Sequence, residues 1–377
     1  MRTLRACTAC AALLLIANYL LSAPQPRTSG TGLVLQPQQL SPPTPKPHHQ
    51  LPPLLPSLLP PAKPATVDII VAADAPLLPG VAGLVRSARA GTSASLHFHV
   101  LTPEADEHIA RQTLRCLNAM YDDSSWQTTV TIRPLSAAWL NATLISRIRV
   151  EADPAVTGKL SSPLNFARFF LPSLLPQGLE QVLYLDADII VQGDLSALVS
   201  RVRLPPRGGG VAVAAVPRHE THFRYSRYAK KCAGIYEARY PLRPAFNASM
   251  ETFNAGVALI DLVEWTRLNL TDEAIWWMER HARDTRGGLW HLGSQPILHL
   301  ILHGRWHALP DHWNLDGLGR LSNFAPAALR AANLLHWTGR RKPWLPTGLH
   351  TGLYRRFVPE ERARLCCSGA ACATRKN

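Results

Sequence analysis

The sequence predicts an α/β fold with a parallel or mixed central sheet. The segment "VDIIVAAD" (67–74) is a short apolar strand that ends on an aspartate and is followed by an amphipathic stretch. Two further strands, "SLHFHVLT" (95–102) and "QTTVTIRPL" (127–135), flank a helical stretch. Strands that alternate with helices are typical of such sheets. The opening strand and turn are of Rossmann type, but no GxGxxG follows, which argues against ordinary dinucleotide binding.

The N-terminus is predicted to be a targeting element, residues 1–23. Arg2 and Arg5 precede the uncharged apolar stretch 6–21, which has the length of a short membrane span. The flanking arginines favour a cytosolic N-terminus and a lumenal body. A cleaved signal peptide is the alternative. Both interpretations place the rest of the chain in the secretory pathway.

A proline-rich stem, residues 24–65, separates this element from the folded body. Residues 24–64 contain 13 prolines. Proline at that density prevents helix and sheet and favours an extended chain. We therefore expect a disordered spacer that holds the body, residues 66–346, away from a membrane.

Glycosylation triplets and cysteines agree with that compartment. Asn141, Asn247 and Asn269 each begin an Asn-X-Ser/Thr triplet. Five of the seven cysteines lie beyond the apolar segment, an odd number. Three of them are in the C-terminal tail, residues 347–377, where they could join two chains into a disulfide-linked oligomer.

The chain is strongly basic, with 40 Lys and Arg against 26 Asp and Glu, a net charge of +14. This charge favours an anionic partner such as a phosphate-bearing substrate. Because the basic residues are scattered without a run of five, we expect no nucleic-acid binding.

Two aspartates stand out in "VLYLDADIIVQGDL" (182–195), since Asp186 and Asp188 follow a buried apolar run. Residues two apart in an extended segment point to the same side, where like charges near a core repel one another. A divalent ion shared with substrate phosphates would offset that repulsion. Such an ion fits a nucleotide-sugar transferase. It also fits an aspartyl-phosphate phosphatase, but that enzyme needs a later acidic pair, and only isolated aspartates follow: Asp261, Asp311 and Asp316.

Six further motifs favour the transferase. In chain order they are "IIVAAD", "LNFARFFLPSLLP", "FNAGVALIDLVEW", "GSQPILHLIL", "LPDHWNLDGLG" and "LLHWTGRRKPW". Together they resemble glycosyltransferase family 8, in the galacturonosyltransferase-like and glycogenin-related superfamily. The likeness is greatest to the eukaryotic glycosyltransferase 8 domain-containing branch, and it covers about 67–344. The resemblance implies a GT-A fold in a single catalytic domain.

The resemblance also implies a metal site and its surroundings. Asp186, Asp188 and His336 match the three protein ligands, and an imidazole ligand suits Mn²⁺ better than Mg²⁺, although Mg²⁺ is possible. Gly339 and Lys342 match the "HxxGxxKPW" spacing of a diphosphate contact. The charge of Lys342 is expected to act on phosphate and not on the ion.

The remaining matched residues are expected to surround the donor. Ala72 and Asp74 match the end of the first strand, where the uracil is held, although Asp74 would also serve as a helix N-cap. The predicted catalytic contacts, including the donor-sugar wall, are Arg168, Asn254 and Gln295, with Ala255 and Gly256 beside them. Arg168 would alternatively form a surface ion pair. One departure from the family pattern is that Gln295 is flanked by Ser294 and Pro296 where many members have acidic residues.

The predicted function is therefore that of a hexosyltransferase in the secretory pathway. It would move a hexose or hexuronic acid from a UDP-sugar to a glycan or glycoconjugate acceptor, with retention, by front-face attack and with Mn²⁺. The predicted location is the Golgi membrane, with a single type II span, or the cell exterior after cleavage. The main alternative is a catalytically weak member that binds a glycan or a partner; the phosphatase ranks below it.

Overall fold

The computed structural model describes residues 66–119, 128–136, 138–139, 162–202, 204–218, 222–246, 251–285, 288–290 and 293–360. The predicted targeting segment and stem, two glycosylation triplets and the three cysteines of the tail lie outside the described residues. The described residues all belong to one compact unit. Among them, no helix has both the length and the apolar character needed to cross a membrane.

The strands form two sheets. In chain order the strands of the described residues are β1 (Val67–Ala72), β2 (Leu96–Pro103), β3 (Thr128–Leu135), β4 (Gln181–Leu185), β5 (Ile189–Val191), β6 (Val213–Pro217), β7 (Phe253–Asp261), β8 (Trp306–Ala308), β9 (Leu315–Asp316) and β10 (Leu334–His336). The large sheet has the order β3-β2-β1-β4-β7-β6-β8, and the small one β5-β10-β9. In the large sheet only β7 runs antiparallel to its neighbours, β4 and β6. The prediction of a mixed sheet is confirmed.

The helices connect and cover these strands. Their bounds are α1 (Leu78–Gly91), α2 (Glu107–Ala119), α3 (Pro163–Phe166), α4 (Leu171–Leu174), α5 (Leu195–Arg201), α6 (His222–Arg239), α7 (Leu262–Arg267), α8 (Leu270–Ala282), α9 (Gln295–Leu302), α10 (Pro326–Ala331) and α11 (Thr351–Arg355). Two begin at an aspartate cap, since Asp194 accepts a hydrogen bond from Ser196 N and Asp261 from Glu264 N. Each cap satisfies an amide of a first helical turn.

The large sheet separates two apolar cores. Successive side chains of a strand face opposite sides, so Ile69 and Val71 enter one core while Ile70 enters the other. The central strand β7 is buried at every position, which explains its uninterrupted apolar run between Ala255 and Ile260. This burial fixes the register of the strands that carry the polar residues of the site.

The folded body extends past the predicted boundary at residue 346. Tyr354 of α11 is only 3% exposed, and its hydroxyl donates a hydrogen bond to Pro79 O in α1. Val358 is also buried. The first part of the predicted tail therefore packs against the domain, because its apolar side chains complete the core beneath α1.

Strand pairing brings the carboxyl ends of β1 and β4 and the beginning of β7 to one edge of the large sheet. β1 pairs in parallel with β4, so Ala72 and Leu185 end at the same edge of the sheet. The antiparallel strand β7 begins there with Phe253. Ligands of open α/β sheets bind outside the carboxyl ends of their strands.

Candidate active site

Asp186 and Asp188 lie in the link between the two sheets. Asp186 follows β4 and Asp188 precedes β5, with the buried Ala187 between them. The link is fixed by backbone hydrogen bonds from Asp186 N to Gly256 O and from Trp337 N to Asp188 O. The two aspartates are thus in a connection and not inside one strand, but both carboxylates face the same group.

That group is His336, the last residue of β10. β10 pairs with β5 so that His336 lies opposite Ile189, directly after Asp188. His336 Nε2 is 3.2 Å from Asp188 Oδ1 and 3.5 Å from Asp186 Oδ2. One ligand atom from each of the three residues lies within 4.8 Å of the others. The structure therefore brings together the three residues predicted as metal ligands.

The arrangement fits a divalent ion. Asn314 Oδ1 lies 3.0 Å from His336 Nδ1, so a proton on Nδ1 directs the lone pair of Nε2 at the carboxylates. The buried Nε2 makes no well-formed hydrogen bond to any described residue. A Cβ at Gly256 would overlap both His336 and Asp186. Two carboxylate oxygens and an imidazole nitrogen in a space kept open by glycine suit Mn²⁺.

Positive charge already balances the aspartates. Lys342 Nζ contacts Asp188 Oδ2 and donates to Trp337 O. Burial alone would raise the pKa of Asp188, but Lys342 and His336 outweigh it and hold this pKa well below its ordinary value. Burial likewise opposes the charging of His336, but Asp188 and Asp186 raise the pKa of His336 to about 9. Lys342 and His336 thus compensate the repulsion that the sequence predicts between the two aspartates.

Metal binding should depend on pH through His336. The ion binds neutral imidazole, so below the His336 pKa of about 9 it must displace a proton. We expect the apparent Mn²⁺ affinity, without nucleotide, to rise by up to about tenfold per pH unit towards that pKa, and to level off above it. Calorimetry in two buffers of different ionisation enthalpy measures the released proton. A slope in His336→Ala as steep as in wild type would contradict the assignment.

Lys342 should compete with the ion when no nucleotide is bound. Because its ammonium contacts Asp188, Lys342→Ala is expected to tighten Mn²⁺ binding without nucleotide by about 2- to 10-fold, and to lower turnover by about 10²-fold by removing the phosphate contact. This differs from the sequence-based expectation that metal affinity is unaffected. Lys230→Ala, at an exposed position of α6, is the control. Unchanged or weaker Mn²⁺ binding in Lys342→Ala would contradict the competition.

Arg168 is buried and not part of a surface ion pair. It is 9% exposed, and its guanidinium donates to Tyr184 Oη at 3.0 Å and to Ala255 O at 3.3 Å. Its Nη2 is 3.6 Å from Asp186 Oδ1. Burial raises the pKa of Tyr184 to about 12 although Arg168 opposes this, so the phenol remains a neutral acceptor. Arg168 therefore presents a fixed positive charge beside the aspartates.

A cleft of about 250 Å³ opens beside these groups. Its lining includes Ala72 and Asp74, the two residues predicted to hold the base. It also includes the charged side chains of Arg168 and Lys342 and the uncharged side chains of Asn165 and Trp344. Asp74 precedes a short 3₁₀ turn (Ala75–Leu77), but its side chain makes no capping hydrogen bond to that turn. The alternative role of Asp74 as a helix cap is therefore not observed.

Gly339 has a structural requirement of its own. Its φ is +114°, a conformation open to glycine, and a Cβ would overlap Gly319 O. Gly339 does not line the described cleft. The predicted contact with phosphate stays a prediction, while the turn and the close packing account for the glycine.

Asn254 and Gln295 contact the first residues of β7 and are not among the described residues that line the cleft. Asn254 Oδ1 accepts from Gly256 N, and Asn254 Nδ2 donates to Asp316 Oδ2 at 2.7 Å. Gln295, the first residue of α9, donates to Phe253 O at 2.8 Å. The side-chain amide of Gln295 is thus hydrogen-bonded to the residue that precedes Asn254 in β7.

Sequence reasoning missed three residues that position the others: Tyr184, Asn314 and Asp316. Tyr184 lies in the "VLYL" strand, but nothing local indicates that its hydroxyl meets Arg168. Asn314 and Asp316 lie inside the quoted motif "LPDHWNLDGLG". Their roles depend on the pairing of β9 with β10, which puts Asp316 opposite His336.

A second His and Asp cluster lies near the start of β1, away from the edge that carries the site. Asp68 Oδ1 is 3.2 Å from His97 Nδ1 and 3.0 Å from His99 Nε2. The other ring nitrogens face Thr131 Oγ1 and Arg133 Nε. Because Arg133 donates to His99, His99 donates in turn to Asp68, and the cluster is a satisfied hydrogen-bond network.

The sheet order, the small second sheet and the Asp-Ala-Asp link are those of a GT-A fold. Solved structures agree with this fold at low identity. The galactosyltransferase LgtC, in complex with donor and acceptor sugar analogues, has a TM-score of 0.53 and 19% identity, over 78% of this chain and 98% of that one. The apo bifunctional glycosyltransferase WbbM has a TM-score of 0.54 and 20% identity, over 80% of this chain and 51% of that one.

The profile of glycosyl transferase family 8 matches residues 65–348, and the chain belongs to this family. It is 26% identical over 312 residues to glycosyltransferase 8 domain-containing protein 1 of Bos taurus, which covers 78% of both chains. It is 33% identical over 202 residues to probable galacturonosyltransferase 10 of Arabidopsis thaliana, over 53% of this chain and 35% of that one. The predicted family and fold are confirmed.

Proposed function

We propose that the protein transfers a hexosyl or hexuronosyl group from a UDP-sugar to a glycan or glycoconjugate acceptor, with retention and with Mn²⁺. The observation that carries the proposal is the convergence of Asp186, Asp188 and His336 beside a cleft lined by Arg168 and Lys342. Family membership supports glycosyl transfer, which requires a sugar donor and an acceptor. Glycosyltransferases of the GT-A fold use a nucleotide-sugar donor and usually a divalent metal.

The chain's own residues suit departure of a diphosphate. A bound divalent ion would supply Lewis acidity to the leaving group. Lys342 and Arg168 add fixed positive charge on the cleft side of the aspartates, where negative charge develops as the glycosidic bond breaks. Tyr184 and Ala255 O hold the Arg168 guanidinium in place, so little reorganisation is needed during transfer.

Front-face attack is the favoured route to retention. Double displacement needs a carboxylate free to attack the anomeric carbon. Two described carboxylates lie near Asn254. Asp316 Oδ2 already accepts hydrogen bonds from Asn254 and Arg218. Asp186 faces His336 as a proposed ligand of the ion. Gln295 offers an amide, which is a poor nucleophile. The acceptor hydroxyl would therefore attack from the side of the departing diphosphate.

A panel of UDP-sugars with Mn²⁺ tests the proposal. We expect UDP release from at least one neutral or acidic hexose donor, and none when the ion is chelated. A catalytically weak member would bind UDP with Mn²⁺ but release none. The phosphatase interpretation predicts that a phosphate monoester is hydrolysed with Asp186 as nucleophile. Phosphatase activity that is lost in Asp186→Asn alone and kept in His336→Ala would overturn the transferase.

We also propose that the body is lumenal, in the Golgi, and held by the N-terminal segment or secreted after its cleavage. The Arg-flanked apolar segment and the proline-rich stem support this. Asn269 is exposed before α8, and Cys116 is in a disulfide bond, whereas Cys232 is free and buried. A disulfide-linked oligomer stays a prediction.

Glycosylation tests the lumenal proposal. Endoglycosidase treatment of the expressed chain should increase its mobility, because Asn141, Asn247 and Asn269 would carry glycans. Replacement of all three asparagines by glutamine should abolish the shift. A wild-type chain that is unaffected by the enzyme and co-migrates with the triple variant would contradict a lumenal body.

A further inference from the structure

The first residues of β7 leave the regular pairing of the large sheet. Ala215 of β6 pairs with Ala258, but Pro217 pairs with Phe253, so one residue of β6 faces four residues of β7. On the other side of β7, the pairing with β4 ends at Val257. The backbone between Phe253 and Val257 therefore lies outside both regular ladders. Its buried polar groups need partners from elsewhere.

The side-chain amide of Asn254 supplies one of these partners. Asn254 is 7% exposed, and its Oδ1 accepts from Gly256 N at 2.8 Å. Its Nδ2 donates to Asp316 Oδ2 at 2.7 Å, and Arg218 Nη2 holds the same oxygen at 2.8 Å. A backbone donor on one side and a carboxylate on the other fix the orientation of the amide. Asn254 thus connects β9 of the small sheet to Gly256 of the large sheet.

Gly256 lies directly against two of the three predicted metal ligands. A Cβ at this position would overlap both Asp186 and His336. Gly256 O also accepts a hydrogen bond from Asp186 N at 2.8 Å. A displacement of Gly256 would therefore move the backbone of Asp186, or would narrow the space between its carboxylate and the imidazole.

The segment 314–316 holds both sides of this space. Asn314 Oδ1 lies 3.0 Å from His336 Nδ1, which orients the imidazole directly. Asp316 lies opposite His336 in the parallel pair β9 and β10, and it reaches the large sheet through the amide of Asn254. One short segment therefore contacts the histidine ligand and, through one side chain, the backbone that carries the aspartate link.

We propose that Asn254 and Asp316 are positioning residues of the metal site, which hold Gly256 and thereby the separation of Asp186 from His336. This rests on the metal site of the proposed function, and it adds a role to the predicted sugar contact of Asn254. Hydrogen-bonded partners that orient metal ligands typically change metal affinity by about 10- to 100-fold. A purely structural role would instead lower the stability of the fold and leave metal affinity unchanged.

Titration of Mn²⁺ into the full-length protein, alone and with UDP, tests the role of Asn254. Asn254→Ala removes both hydrogen bonds and should weaken Mn²⁺ binding by about 10-fold or more, because Gly256 is no longer fixed. Asn323→Ala, at an exposed position before α10, is the control and should bind Mn²⁺ as wild type does. Wild-type Mn²⁺ affinity in a folded Asn254→Ala would overturn the proposal, even if binding of a UDP-sugar were weakened.

Two variants of Asp316 separate positioning from a general loss of stability. Both lose the charge that faces Arg218, but Asp316→Asn keeps an oxygen that accepts from Asn254, whereas Asp316→Ala does not. Asp316→Ala should weaken Mn²⁺ binding by about 10-fold, and Asp316→Asn by about threefold or less. Equal Mn²⁺ affinities in the two variants would overturn the proposal. This comparison decides the matter if Asn254→Ala does not fold.

The wild-type titration separates failure of this proposal from failure of the proposed function. If wild type binds Mn²⁺ neither alone nor with UDP, the metal site fails and the positioning role with it. If wild type binds Mn²⁺ and the folded variants bind it equally well, only the positioning role is wrong. Thermal unfolding of each variant reports on its fold. A lowered unfolding temperature with unchanged Mn²⁺ affinity would show a purely structural role and contradict the proposal.

Discussion

Asp188→Asn is expected to lower UDP-sugar turnover by about 10³-fold. Loss of one preorganised charge-stabilising group costs about 10²–10³-fold, and here the ion would lose a ligand as well. Asp188 is the aspartate that both Lys342 and His336 contact, and it lies at the junction of the two sheets. The amide keeps the shape but removes an oxygen ligand and its charge. Initial rates with saturating Mn²⁺ and donor measure the effect.

The free energy of unfolding of Asp188→Asn distinguishes the expectation from the structure from the expectation from the sequence. A self-repelling pair predicts a variant as stable as wild type or more so. The structure predicts a loss of about 1–3 kcal/mol, because Lys342 and His336 both lose the negative charge of a buried partner. Asp272→Asn, at an exposed position in the first turn of α8, should change neither property. Turnover within tenfold of wild type in Asp188→Asn would contradict the assignment of Asp188 as a metal ligand.

His336→Ala is expected to weaken Mn²⁺-dependent UDP binding by about 100-fold or more, since even outer partners of a metal ligand cost about 10–100-fold in affinity. The side chain is 1% exposed, and its Nε2 faces both aspartates. Mg²⁺ should be affected less than Mn²⁺, because imidazole favours the transition ion. Calorimetric titration of UDP at fixed metal concentration measures both.

Two further variants define the histidine effect. His108→Ala, at an exposed position of α2, controls for loss of an imidazole elsewhere. Asn314→Ala removes the Nδ1 partner and should produce an intermediate loss of about 10-fold. Wild-type Mn²⁺-dependent UDP affinity in His336→Ala would exclude the imidazole as a ligand, and with it the site described.

The parts of the fold that depend on short-range patterns could be predicted from the local sequence. The apolar runs at β1, β4 and β7 predict strands, because apolar residues recur at every position or at every second position. This pattern is visible in the sequence alone, and the structure buries those positions. The continuation into α11 was missed because the burial of Tyr354 depends on a hydrogen bond to Pro79, 275 residues away.

The candidate site divides in the same way. Asp186 and Asp188 follow a recognisable strand, and His336 was identified through the motif that surrounds it. Tyr184, Asn314 and Asp316 act through Arg168, His336 and Asn254, which are distant in sequence. Their roles arise from strand pairing and could not be predicted from composition or spacing.

The most direct test of the central claim is titration of UDP into the full-length protein with Mn²⁺ and, separately, with a chelator. If Asp186, Asp188 and His336 hold an ion that anchors the diphosphate, UDP binds with Mn²⁺ and its affinity falls by about 100-fold or more in the chelator. Equal UDP affinity in both conditions would contradict a metal-dependent nucleotide-sugar site at these residues.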